Sequence, residues 1–511
     1  MTKLPFYEKV GYAMGDAAAN LVWRGALAYL AVFYTDTFGL TAAAAAMLFL
    51  VVRLSDGVTD IIMGMIGDRT NTRWGKFRPW ILWSTPFLAL FMVLCFTTPD
   101  LSQTSKLIYA YITYIGLTLA YTINNVPYSA LMGVMTPSDT ERTSLSGFRF
   151  AGAFAGGLLV MGFLPDLVAY FGDGNDAMGY QYTMYLFAAI LIVLMVITFV
   201  STKERITPAV DETTNLTSEL GDLAKNLPFI ILPLLAMTLF FYYRDIYSGI
   251  FFIIVMASMW ALIKRLIKNT PDDMSGTQRD MVDLLTNKPW IILLGMGFLT
   301  MMFNGIKYGT IAYYFKYQVG DEFMAGKYFI ALLVVSILGA LSTGYLSSKL
   351  GKRKLFIVAL ILSGLLTAGF YWVPNGNIQA IFILGCSAEF FAAMMPTLFF
   401  TMLGDSADYS EWKNGRRATG LIYSAGTFVQ KTGGGFAGAL VLVVLASYGY
   451  NGMEKSTIEA SLPGMQLLMS WIPAAFAFAG AGLMMFYPLT SKQNNEIGNE
   501  LEQRRATQVY S

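Results

Sequence analysis

Asp56 and Asp60 stand one helical turn apart in the run Arg53-Leu-Ser-Asp56-Gly-Val-Thr59-Asp60-Ile-Ile-Met-Gly64, which otherwise reads as a membrane span. An i, i+4 spacing puts both carboxylates on one helical face. Two carboxylates with hydroxyl oxygens nearby make an oxygen-rich cage for a hard cation, or a site that holds a proton. Arg24, Arg53, Lys307, Glu389 and Lys431 fall at similar depth in the apolar runs. A charged side chain at the bilayer centre costs roughly 2.5–3.5 kcal/mol, so with the two aspartates these seven groups cost on the order of 20 kcal/mol. A folded protein is stable by only about 5–15 kcal/mol. They must therefore face a protein interior or a wet cavity, which is the layout of a transporter. The plainer alternative is an ion pair of Arg53 with one of the acids, but one arginine cannot neutralise both.

The elements that position these residues follow from composition. The chain has 511 residues, 55% hydrophobic and 13% charged, whereas soluble domains carry about 25% charge. Apolar stretches long enough to span fall near 11–36, 42–67, 79–98, 107–135, 144–164, 180–200, 290–317, 327–347, 355–373, 378–404, 418–446 and 464–488. Two more, near 228–243 and 246–267, lie between the sixth and seventh, and the first of them is short for a span. This predicts 1–204 as an N-terminal six-helix half and 205–288 as an inserted segment with two extra spans. It makes 289–490 a C-terminal six-helix half and 491–511 a tail. A weak repeat supports the halves: Gly64-x-x-x-Asp68 before basic residues closes the second span, and Gly344-Tyr-Leu-Ser-Ser348 before Lys349, Lys352, Arg353 and Lys354 closes its counterpart.

Basic residues gather in loops 68–78, 347–354 and 411–417, while loops 37–42, 165–179 and 374–378 have no Lys or Arg. That asymmetry predicts a multi-pass protein of the plasma (inner) membrane with both termini cytoplasmic. It reads as topology, with no nucleic-acid partner. With no histidine in the chain, imidazole relays and His-ligated metals are excluded, and any coupling chemistry rests on carboxylates. Cys95 and Cys386 lie in apolar segments and read as buried thiols.

Longer motifs carry a resemblance. They include Gly15-Asp16-x-x-x-Asn20, Tyr34-Thr35-Asp36, Asp56-x-x-x-Asp60-x-x-x-Gly64 and Arg73-Trp-Gly-Lys-Phe-Arg-Pro-Trp80. Tyr121-Thr122, Pro127, Asp405-x-x-Asp408-Tyr409-x-Glu411 and Lys431-x-Gly433-Gly434 extend the set. Through these the chain resembles the glycoside–pentoside–hexuronide:cation symporters, the major facilitator subfamily that contains the melibiose permease. The resemblance implies that Asp56 and Asp60, helped by Thr122, bind the coupling cation. Thr59 stands where the melibiose permease has an amide, which leaves Na⁺ and H⁺ both open. The two carboxylates that the permease uses for galactosyl hydroxyls correspond here to Asn20 and Asn125.

Exchanging acids for amides while placing Arg24 one turn from Asn20 and Lys307 mid-span makes the cavity electropositive. Arg149 and Lys431 resemble the family's basic pair. A guanidinium binds a carboxylate or sulfonate bidentately, so an anionic sugar is expected, such as a hexuronide or uronate oligosaccharide. Two alternatives stand beside it: Arg24 or Lys307 pairs with Glu389 or Asp16, or the amides bind a neutral sugar. Tyr121 is a stacking candidate, and Thr427 shares the helical face of Lys431. Near the helix ends Glu141, Arg142, Asp405, Asp408, Glu411 and Arg417 alternate in sign. They read either as a latch of solvated pairs worth about 0–1 kcal/mol each or as plain hydrated ends. Glycines 152, 156 and 157 in the fifth span suit close helix packing.

The expectation is an all-α major facilitator fold performing secondary active symport of a sugar with Na⁺ or H⁺. It acts as a monomer in membrane lipid, without enzymatic activity or a resident cofactor. A cation-coupled lysolipid carrier on the same scaffold, and a membrane-embedded sugar- or lipid-processing enzyme, are the alternatives.

Overall fold

In the computed structural model of the chain every regular element is helical among the described residues. These are 3–40, 42–206, 276–321, 323–374, 376–449 and 455–509, with short stretches between 236 and 261. The side chains of Arg53 and Asp56 lie outside the description, as does most of the expected inserted pair at 228–267. The first group of helices is α1 (Phe6–Val32), α2 (Ala42–Arg69), α3 (Arg78–Cys95), α4 (Gln103–Met135), α5 (Asp139–Gly172) and α6 (Asp176–Ser201). A short α7 (Gly276–Leu285) leads to α8 (Lys288–Tyr313), α9 (Phe323–Leu350) and α10 (Lys352–Gly369). The chain ends with α11 (Ile378–Ala392), α12 (Met394–Asn414), α13 (Thr419–Ser447), α14 (Lys455–Met469), α15 (Trp471–Met484) and α16 (Ser491–Val509). Ten helical stretches among the described residues are long and apolar enough to cross a membrane.

Two expected spans are split by proline. Pro396 has no N–H for the carbonyl of Ala392, and α11 gives way to α12 at Ala393. Pro473 likewise cannot reach Met469, and α14 breaks into α15 at Ser470. The lost bond and the ring's clash with the i−4 carbonyl explain both breaks.

The two groups share a backbone feature. α1 and α8 each run into a π-turn, Phe33–Thr37 and Tyr314–Val319. Each is closed by a glycine at left-handed φ, 79° at Gly39 and 81° at Gly320. The Leu40 N–H donates to Tyr34 O at 2.8 Å and the Asp321 N–H to Phe315 O at 3.0 Å, the same closure in both groups. α1 packs on α5 and α6, and α8 packs on α13 and α15. Between the groups, α2 and α4 meet α13, while α5 meets α9 and α12. Residues that lie deep on these helices therefore face each other across the seam.

Candidate cation and substrate site

Asp60 is fully buried. Its Oδ1 accepts a 2.9 Å hydrogen bond from Thr122 on α4, and Lys431 on α13 donates to Oδ1 and Oδ2, both at 2.9 Å. The pair crosses from α2 to α13, so a lysine tethered to one helix group sits where the sequence places a coupling cation. Trp23 and Tyr121 stack at 5.1 Å, and the Lys431 ammonium lies 5.9 Å from each ring. An ammonium held against a carboxylate and beside aromatic faces is well satisfied. Thr59 is half-buried on the same helix as Asp60.

Two more deep ion pairs stay within one helix group. Arg149 on α5 donates through Nε to Asp16 on α1 at 3.0 Å and through Nη2 to Ser129 at 2.9 Å, and its guanidinium lies 4.3 Å from the Phe400 ring across the seam. Lys307 on α8 donates to Glu389 on α11 at 2.5 Å. Glu389 also accepts from Tyr308 at 2.9 Å and from Ser336 at 2.8 Å. Lys307 and Arg149, both expected to reach substrate, are thus each committed to an acid. For Lys307 the alternative partner weighed from sequence is the one observed.

The residues expected on the sugar side divide by what they bond. Asn20 donates from Nδ2 to Asp16 O at 2.9 Å, and its Oδ1 accepts from Arg24 Nε at 3.3 Å. Among the described residues Arg24 has no carboxylate partner; it lies 5.9 Å over the Phe154 ring. Asn124 bonds Ile81 O and Ser84, but its neighbour Asn125, 5% exposed, makes no hydrogen bond to a described residue. Thr427 returns its hydroxyl to Tyr423 O at 3.0 Å.

At the end of the bundle that holds Leu4, the α2–α3 loop and α16, charges lace the two groups together. Arg142 donates to Asp405 at 3.2 Å and to Asp408 at 2.8 Å. Arg417 pairs with Asp408 at 2.6 Å and Glu411 at 2.9 Å, and it crosses back to Gly133 O at 3.0 Å. Asp405 also pairs with Lys352 and accepts from Asn494 of α16 at 2.9 Å. Asp68 accepts from the Gly420 and Leu421 amides at the start of α13. The expectation of solvated helix ends is corrected here: Arg142 is 1% exposed, Asp405 and Arg417 4% each. The surface value of about 0–1 kcal/mol does not apply to such pairs, because removing one partner of a buried pair costs about 3–5 kcal/mol. Glu141 stands outside this lattice. It pairs with Lys9 at 2.9 Å and accepts from the Leu4 amide, within the first helix group.

The family model of MFS/sugar transport proteins matches residues 11–244 and 236–491. The chain is similar to an uncharacterized symporter of Bacillus subtilis, YnaJ, at 33% identity over 98% of this chain and 96% of that one. It is 31% identical to the putative glycoside/cation symporter YagG of Escherichia coli, over 99% and 97%. The chain belongs to the glycoside–pentoside–hexuronide:cation symporter family. The fold agrees: the crystal structure of the E. coli fucose:proton symporter FucP superposes with a TM-score of 0.60 at 12% identity, covering 95% of this chain and 98% of that one. This is a multi-pass major facilitator transporter, not an enzyme.

Within this symporter family member, several site residues escaped the sequence reading. Glu204 accepts from the amides of Lys76, Phe77 and Arg78 at 2.8, 2.8 and 3.0 Å, folding the Trp-Gly-Lys-Phe-Arg-Pro-Trp loop around one carboxylate at the start of α3. Burial pulls the Lys76 ammonium below the usual lysine range, against the charges of Asp68 and Glu204. Hydrogen bonding to Glu8 raises the Arg205 guanidinium above its usual value. The pairing partners Ser336, Tyr308 and Asn494 carried no motif, since a lone hydroxyl or amide gives no spacing signal, and Lys352 stood in the basic run 349–354 that read as topology.

Proposed function

We propose that this symporter moves an anionic sugar together with Na⁺ or H⁺, with Asp60 as the coupling site. The observation that carries the reading is the Lys431–Asp60 bridge between the two helix groups. Asp60 is too deep to stand unpaired, and a buried carboxylate without a counter-charge is costly. The ammonium of Lys431 meets that need in the unloaded carrier. An entering Na⁺ or proton neutralises Asp60 instead and frees Lys431, loosening the α2–α13 contact. Asp56, one turn away on the same face by spacing, would complete an oxygen cage with Thr59 and Thr122. By linkage, whatever factor the cation lends to sugar binding, the sugar returns to the cation.

The anionic preference rests on Arg24. Arg149 is matched by Asp16, Lys307 by Glu389 and Lys431 by Asp60. That leaves Arg24, among the described residues, as a mid-span cation with no carboxylate at ion-pair distance, since the nearby Asp16 is bonded to Arg149. A substrate carboxylate or sulfonate would neutralise it, with the amide of Asn125, which makes no hydrogen bond to a described residue, and the Trp23–Tyr121 stack receiving hydroxyls and a sugar face. The charged lattice of Arg142, Asp405, Asp408 and Arg417 forms the cytoplasmic lock of a carrier whose termini lie in the cytoplasm and whose unit is a monomer in the inner membrane.

The test is counterflow in proteoliposomes with matched glucuronides and glucosides, under Na⁺ and pH gradients separately. Gradient-driven uptake of the acidic sugar, lost in Arg24→Ala, supports the reading. Uptake of only the neutral sugar, or acid uptake unchanged in Arg24→Ala, rejects the anionic part.

A further inference from the structure

Three glycines of α5 face α1, and they do not do the same thing. A methyl group on Gly152 would come within 2.2 Å of the Ala13 carbonyl oxygen, and one on Gly156 within 2.3 Å of the Ala17 carbonyl oxygen. Both clashes are with backbone, so these two glycines set how closely the helices approach. A methyl on Gly157 would instead meet the Arg24 side chain, at 2.5 Å from Cδ and 2.6 Å from Nε. There the missing side chain makes room for a cation. Asn20 on one side, at 3.3 Å from Arg24 Nε, and Phe154 one turn away complete the berth.

We infer that Gly157 is a specificity-determining position: it holds the Arg24 guanidinium where a substrate carboxylate or sulfonate meets it. The inference rests on the anionic reading above and adds the residue that positions its key group. Ordinary carbon contacts lie near 3.5–4.0 Å, so an alanine at 157 must push Arg24 by about 1 Å. Bidentate recognition of a planar anion depends on the fork's placement, whereas hydroxyl contacts made by Asn125 do not involve Arg24. A flexible arginine can yield, so the substitution displaces the charge without parting the helices.

The experiment measures binding of methyl β-D-glucuronide and methyl β-D-glucoside to the purified full chain by calorimetry, beside its thermal melting. The wild-type chain is expected to favour the glucuronide. Gly157→Ala should weaken glucuronide binding about tenfold or more, leave glucoside binding within about twofold, and melt close to wild type. Adding Gly157→Ala to Arg24→Ala should cause no further loss. Unchanged glucuronide binding in Gly157→Ala, with Arg24→Ala defective, overturns the role of Gly157 alone. Equal loss of both sugars, or a collapse in melting, also overturns it, since that is packing. A wild-type chain indifferent to the carboxylate, or Arg24→Ala that binds glucuronide normally, overturns the anionic reading and the inference with it.

Discussion

Replacing Lys431 with methionine keeps the side chain's length and removes its charge. Among the described residues Asp60 is then left fully buried with one hydroxyl donor, Thr122 at 2.9 Å, where it had three bonds. Breaking a buried pair from one side costs about 3–5 kcal/mol. In the proposed cycle that cost has a counterpart, because Lys431 competes with the coupling cation for the same two oxygens. Removing the competitor should therefore strengthen cation binding by a similar amount. Taking about 3 kcal/mol, at 1.4 kcal/mol per decade, the apparent dissociation constant falls roughly 10²-fold. A ligand at a hundred times its dissociation constant stabilises the fold by about 2.7 kcal/mol. Lys431→Met should thus melt well below wild type in choline chloride and recover as NaCl is added at fixed pH, or as pH is lowered without Na⁺ if the proton is the coupling ion. Melting that ignores both ions, or that matches wild type in choline, refutes the competition.

Two other perturbations probe the remaining charges. Lys307→Met or Glu389→Gln alone leaves a buried charge without its partner and should cost about 3–5 kcal/mol; the double variant should recover much of that, read by thermal melting, and a double no better than either single would show that the two act separately. Arg142→Gln removes the bonds to Asp405 and Asp408 and should open the end of the bundle that holds this lattice. In a background lacking Cys95 and Cys386, a cysteine at the buried Thr401 should then react faster with a maleimide applied from that side, whereas an unchanged rate would deny Arg142 a locking role.

How much of this was legible beforehand varied by residue. The Asp56–Asp60 pair followed from spacing, and Thr122 beside Asp60 from the family resemblance of the Tyr121-Thr122 motif. The Lys431 partnership did not, since it joins helices 371 residues apart and nothing local marks which base reaches which acid. The sign alternation from Arg142 to Arg417 showed charged members of the lattice, but it also included Glu141, which lies outside it, missed Lys352 and Asn494, and gave no sign of the burial. What covers it includes α16, whose Asn494 bonds Asp405 and whose Leu501 is 3% exposed. Helical periodicity reports a face, not the element that lands on it. Pro396 and Pro473 could break spans, yet continuous apolarity hid the breaks. The glycines at 152, 156 and 157 looked equivalent, and only the opposing atoms, two carbonyls and one arginine, tell them apart.

The most direct test of Asp60 as the coupling site is sugar flux through Asp60→Asn in proteoliposomes. The amide accepts and donates hydrogen bonds but has no negative charge to neutralise Na⁺ and does not take up a proton. Equilibrating, gradient-independent sugar exchange should persist while uphill accumulation disappears under both Na⁺ and pH gradients. Accumulation equal to wild type under either gradient would contradict the account.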